Sequence, residues 1–223
     1  MSEIVDAIEQ IARWMPVLLD ATRTTLSLTV TSVCTALVLG VFLALAKISS
    51  NPFINKPATA YVFFFRGTPL MLQLFVVYFG LPLIDPRLDV GSRFMAAYIA
   101  FSLNIAAYLA EIIRAAIQSI DKGQMEAARS LGLSYGQAMK LVIIPQSYRR
   151  MIPPVCNEFV MVLKDTALVS IIALNDLTYV AKQIASNRAS TLVYIPALVI
   201  YLILTAVFTT IFNKLEKKFS VYE

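Results

Sequence analysis

Glu158, Lys164 and Asp165 stand within the stretch 151–173, which is otherwise rich in Val, Ile, Leu and Met, and Asn157 adjoins them. A second polar set, Arg66, Thr68 and Gln73, interrupts the apolar run that begins at Ala58. A charge at the centre of a membrane helix costs at least ~2.5 kcal/mol on insertion scales, so it is paired or functional. Charges of both signs can form an internal ion network or hold a ligand that itself carries both signs. Histidine is absent, which removes imidazole acid–base chemistry, His-based triads and His metal sites. Cys34 and Cys156 make no disulfide framework and read as small buried hydrophobes. No metal set is expected.

The elements that must position these groups follow from composition. Of 223 residues, 58% are hydrophobic and 15% charged. A soluble domain carries about a quarter charged residues, and one this small could not hide so much apolar surface from water. An ordinary soluble enzyme and a disordered chain are both excluded. The net charge is +5, which in so apolar a chain orients it in a bilayer rather than binding nucleic acid.

Uncharged intervals mark the spans. Between Arg23 and Lys47 lie 23 residues without a charge, between Arg66 and Asp85 18, between Arg93 and Glu111 17, and between Arg188 and Lys214 25. A bilayer core needs roughly 20 helical residues, and open strands cannot satisfy their backbone in lipid. The pattern predicts spans at about 24–46, 58–83, 94–118 and 191–213, with a further one at 147–173 whose charges face the protein interior. The fold class is an all-α membrane protein with five transmembrane helices, a single domain over 1–223. With five spans, Lys47, Lys56, Arg114, Lys122, Arg129, Lys140, Arg149, Arg150, Lys214, Lys217 and Lys218 fall on one side. The other side receives fewer: Arg13, Arg23, Arg87, Arg93, Lys182 and Arg188. The richer side is cytoplasmic, which puts the N-terminus outside and the C-terminus inside. Residues 1–20 lack the basic start and long apolar core of a signal peptide. Ile4, Ile8, Ile11 and Met15, with Trp14, predict an amphipathic helix on the outer surface.

Gly67 and Pro69 weaken the second span around 66–68, because Pro69 removes a donor and pushes Thr68 out of helical geometry. Eight residues at 1.5 Å each place this point about 12 Å deep, close to the midplane. Such a break exposes backbone groups to a ligand, and Gln73 shares the face of Arg66 if the helix continues. In the 147–173 span, Asn157, Lys164 and Leu168 share one face, with Glu158 and Asp165 about 100° round.

The inward segment 119–146 is the most patterned. Gln124–Leu131 holds good helix formers and ends at Gly132, a natural residue just past a helix C-terminus. Ser134 with Gln137 is a capping box, and the second helix is expected to stop near Pro145. Glu111 and Arg114, at i and i+3, are expected to pair on one face and support this elbow.

Glu126-Ala127-Ala128, Gly132, and then Val142, Ile144 and Pro145 match the EAA loop of ABC importer permeases. Arg66-Gly67-Thr68-Pro69-Leu70 with Gln73 resembles the corresponding segment of polar amino-acid importers, as do Ile120–Gln124 and Leu163–Thr166. The chain is therefore similar, from about residue 17 to 218, to the inner-membrane permease subunits of that subfamily. Val142 and Ile144 stand where Ile and Leu are usual, and Ala167 where Ser is common. The resemblance implies five spans, an outside N-terminus and a bacterial cytoplasmic (inner) membrane location. It implies as partners two ABC ATPase subunits, a second permease copy or paralogue, an extracytoplasmic amino-acid-binding protein and a polar amino acid. Glu126, Ala127, Ala128, Gly132 and Pro145 would couple to the ATPase, with Ala127 and Ala128 allowing close approach and Glu126 accepting a backbone or Arg hydrogen bond. The chain has no Gly-x-x-x-x-Gly-Lys, so ATP and Mg would be bound by the partner, and no cofactor or catalysis is expected here. Arg66, Thr68, Gln73, Asn157, Glu158, Lys164 and Asp165 would then contact the amino acid. A secondary transporter or channel is the rival reading. It would need no ATPase-docking elbow, and no Gly-rich filter is visible.

Overall fold

The computed structural model describes residues 2–219. Among these, regular structure is helical throughout. Helix α1 spans Ser2–Ile48, α2 Pro52–Gly67, α3 Leu70–Phe75, α4 Leu81–Ile84, α5 Arg93–Gln118, α6 Lys122–Ser130, α7 Tyr135–Ala138, α8 Ile144–Asp165, α9 Leu177–Arg188 and α10 Tyr194–Phe219. Three stretches are long and apolar enough to cross a membrane: Val5–Ile48, Arg93–Gln118 and Thr191–Phe219. The bent pair Pro52–Gly67 and Leu70–Ile84 adds a fourth if it counts as one span. The stretch expected as the remaining span is helical, α8 followed by a 3₁₀ segment Thr166–Ile172. Its charges keep it out of the apolar set.

The N-terminal segment differs from a separate surface helix. It continues through Pro16 into the first span as one 47-residue helix, about 70 Å long at 1.5 Å per residue, more than twice the ~30 Å bilayer core. Met1, the Ile4 side chain and residues 220–223 lie outside the described residues.

Two compact units are present. The first comprises Met1–Val33, Pro69–Ser102 and Val160–Phe208. Its core joins Leu18 to Leu177, Ala181, Val193, Ala197 and Ile200, with Trp14 and Met15 packed alongside. Thr22, Thr25, Thr29 and Ser32 form a buried stripe on α1. Lipid cannot satisfy hydroxyls, so Thr22 Oγ1 donates to the Leu18 carbonyl and Thr29 Oγ1 to that of Thr25, both at 2.8 Å. Asp176 caps α9: Oδ1 accepts from Tyr179 N at 2.9 Å and Oδ2 from Thr178 N at 3.0 Å. Leu177 N donates to Thr25 Oγ1 at 3.2 Å, and the Thr178 and Tyr201 hydroxyls lie 3.0 Å apart. Asp176 is fully buried. Burial pushes its carboxyl up, against the lowering effect of the two backbone donors.

The second unit comprises Cys34–Thr68, Leu103–Phe159 and Thr209–Glu223. Its core sets Ala44 and Val62 against Ala107, Ala110 and Ile113. Without water to drive helices together, close contact depends on small residues. At Gly40 an added Cβ would lie 2.9 Å from Leu109 Cβ and 3.3 Å from the Ala106 carbonyl oxygen. Two cross-helix bonds fix α2 to α5: Tyr61 Oη donates to the Leu103 carbonyl at 2.8 Å, and Asn104 Nδ2 to that of Phe65 at 2.9 Å.

Candidate functional site

The elbow that begins at Asp121 takes the local form its sequence signals. Asp121 caps α6, accepting from Gly123 N at 2.7 Å. Gly132 adopts φ +86°. Leu133 N bonds the Ala128 carbonyl at 3.2 Å and Gly132 N that of Arg129 at 3.0 Å, the paired closure of a Schellman turn. Ser134 N donates to Gln137 Oε1 at 2.8 Å and Gln137 N to Ser134 Oγ at 3.3 Å, completing the capping box.

Three details depart from expectation. The second elbow helix does not stop near Pro145. A π-helical stretch, Met139–Ile143, follows α7 and leads straight into α8. The wider π turn accommodates a residue that cannot donate and whose ring crowds the preceding turn. Ala128 is buried within the elbow, whereas Glu126, Ala127, Gly132 and Pro145 are exposed. The small side chain of Ala128 therefore serves packing inside the chain. The Glu126 side chain accepts no bond among the described residues; only its backbone carbonyl does, from Ser130 Oγ at 3.0 Å. The sequence reading also missed Leu131, Tyr135 and Leu141, apolar side chains that the elbow leaves exposed. Their signal was apolar residues within a polar loop.

The elbow is tied back to neighbouring helices. Gln146 Nε2 donates to Gln124 Oε1 at 3.3 Å, and Arg150 Nη1 to Ser119 Oγ at 3.0 Å. The Glu111–Arg114 pair forms, with Arg114 Nε 2.9 Å from Glu111 Oε1. Lys47, 64 residues away in sequence, completes it: its Nζ lies 2.6 Å from Glu111 Oε2.

The break in the second span forms as the sequence predicts. Helix α2 ends at Gly67, Thr68 is extended (φ −121°, ψ 145°), and α3 begins after Pro69 (φ −63°, ψ 131°). Thr68 Oγ1 donates to the Phe64 carbonyl at 2.8 Å. Because the helix breaks, Gln73 does not inherit the face of Arg66. Gln73 is buried on α3, which packs in the first unit against the 3₁₀ segment that follows Asp165.

The Arg66 side chain turns toward α5. Its guanidinium stacks 5.3 Å from the Tyr108 ring centroid. Tyr108 precedes Glu111 by one turn of α5, about 4.5 Å, and Glu111 holds Lys47 from the last turn of α1. Arg66 therefore sits close to Lys47 in the last turn of α1. On α8, Asn157 is exposed and Glu158 half-buried, both in the second unit. Lys164 and Asp165, in the first unit, end α8 and are exposed. Lys164 makes no ion pair among the described residues. Leu168 falls in the 3₁₀ segment, so the α-helical face expected for it is not kept.

Residues 36–221 match the family described as binding-protein-dependent transport system inner membrane component. The arginine transport permease ArtQ of Bacillus subtilis (strain 168) is 43% identical over 92% of this chain and 93% of its own length. The L-cystine permease TcyL of the same organism is 36% identical over 98% and 90%, and the glutamine permease GlnP of Escherichia coli (strain K12) 34% over 93% and 94%. A crystal structure of an amino acid ABC transporter with histidines superposes with TM-score 0.88 at 38% identity, covering 94% of this chain and 97% of that one. The MetNI methionine ABC transporter shares the fold at TM-score 0.79 and 20% identity, over 93% of this chain and 98% of that one. With a matched region that runs through the elbow, the broken span and both long C-terminal helices, the chain belongs to the family of binding-protein-dependent transport system inner membrane components.

Proposed function

We propose that the chain is the transmembrane subunit of an ATP-driven importer for polar amino acids, multi-pass in the bacterial cytoplasmic membrane. Five spans place its N-terminus outside and its C-terminus in the cytoplasm. The observation that carries this reading is the elbow: a Schellman turn at Gly132 and a capping box at Ser134 hold α6 out with Glu126 and Ala127 exposed. Such a firmly capped helix with an exposed face suits a groove on a separate ATPase. Two ATPase subunits bind the ATP and Mg, this chain catalyses nothing, and a second permease copy or paralogue completes the pathway. An extracytoplasmic binding protein delivers the amino acid. Relatives named for arginine, cystine and glutamine support a polar amino acid without choosing one.

The amino acid is held by both charge signs. Lys164 takes the carboxylate, Glu158 the ammonium or a cationic side chain, and Thr68, Gln73 and Asn157 add neutral bonds. Asp165 fixes the partners of Lys164. Arg66, expected among these contacts, is turned toward Tyr108. The test is transport and ATP hydrolysis measured side by side in Glu158→Gln and Lys164→Met. Both assemble and hydrolyse ATP but import poorly or with altered preference. Import at the original rate and selectivity would remove that residue from the site.

A further inference from the structure

In the second unit a cavity of about 390 Å³ opens beside α1, α2 and α5, lined by Lys47, Thr59, Phe63, Arg66, Tyr108 and Glu111. Its charges do not cancel. Glu111 Oε2 is occupied by Lys47 at 2.6 Å and Oε1 by Arg114. That leaves Arg66, stacked on Tyr108 and without an ion pair among the described residues. Stacking uses the face of the guanidinium and leaves its edge of N–H donors open.

We propose that this cavity binds the phosphate of an anionic membrane phospholipid, with the Arg66 edge as the primary contact. The chemistry selects against the transported amino acid. A zwitterion or a cationic substrate needs a free carboxylate for its ammonium, and the only carboxylate lining the cavity already holds two cations. A phosphodiester needs none, and Arg meets phosphate oxygens with a bidentate fork. The level fits too, because Lys47 marks the end of α1 and Arg66 lies about one turn of α5 from it. At that depth a long basic side chain reaches the headgroups. The lining suits an acyl chain at one side: Phe63 is 80% exposed. Basic pockets between membrane helices are a known form of anionic-lipid site. The inference rests on the chain spanning a bilayer and holds whichever residues contact the amino acid.

The full-length permease in mixed micelles containing phosphatidylglycerol and phosphatidylcholine at equal fractions is read by native mass spectrometry. The probe is retained phosphatidylglycerol. Wild type retains it over phosphatidylcholine by about fivefold or more, Arg66→Gln brings the ratio near one, Arg66→Lys retains part, and Arg87→Gln, on an exposed outer turn, retains all of it. Melting with and without phosphatidylglycerol guards against misfolding: a folded Arg66→Gln melts cooperatively but gains nothing from the lipid. No headgroup preference in wild type, or unchanged retention in a folded Arg66→Gln, overturns the proposal. So does displacement of the lipid by free amino acid, which would return Arg66 to the substrate site. Failure here leaves the Glu158 and Lys164 transport test unaffected.

Discussion

The Lys47 ammonium lies 2.6 Å from the Glu111 carboxylate, with side chains only 13% and 22% exposed. It ties the last turn of α1 to α5, about two turns before the elbow. Removing one member of so shielded a pair leaves a charge without its partner, at about 3 kcal/mol. Glu111→Gln should therefore lower the melting temperature of the purified permease sharply. Lys47→Met with Glu111→Gln should cost less than the sum of the single changes. Strict additivity would mean the two groups do not interact.

Gly40 lets α1 pack tightly against α5. A methyl group there meets Leu109 Cβ at 2.9 Å and backbone at 3.3 Å. Gly40→Ala should destabilise by about 1–3 kcal/mol, the range for overpacking, and Gly40→Val by more. Thermal unfolding in detergent measures this. A neutral Gly40→Val would show that the helices part freely.

The elbow offers a paired control. Gly132 has φ +86°, so Gly132→Ala carries left-handed strain of ~1 kcal/mol despite open space around it. Gly136 is helical, also with nothing within 4 Å, so Gly136→Ala is unstrained. Co-purification with the ATPase should weaken in the first variant only. Equal retention by both would uncouple the Gly132 turn from docking.

These features were legible in sequence for a shared reason: each is local. The Schellman glycine, the Ser134–Gln137 box, the i, i+3 pair Glu111–Arg114 and the break before Pro69 are decided within a few residues. Contacts set by packing were not legible. Lys47 reaches Glu111 across 64 residues, Asn104 finds a carbonyl that α2 places, and Ala128 turns inward only because the elbow folds back on itself. Pro145 misled because a stop signal assumes α geometry, and a π turn removes the clash. The stacking of Arg66 on Tyr108 was likewise out of reach, because it joins α2 to a ring on α5.

Asp176 gives a pH prediction. Its carboxyl is raised by burial, so the protonated form is the better accommodated in the folded state. Its contribution is greatest below the ordinary carboxylate range and is lost as pH rises through the raised value. Asp176→Asn keeps a capping oxygen and removes the ionisation. Melting temperatures across a pH series should fall more steeply above the ordinary carboxylate range for wild type than for the variant. Parallel curves would show that Asp176 titrates as an exposed carboxylate.

On the proposed function, ATP hydrolysis by a docked partner drives an amino acid through this chain. The most direct test is uptake of labelled amino acid into vesicles holding the permease, its ATPase and its binding protein. Uptake should require ATP and the binding protein together and persist when proton and sodium gradients are collapsed. Uptake that follows an ion gradient and proceeds without ATP would instead identify a secondary transporter.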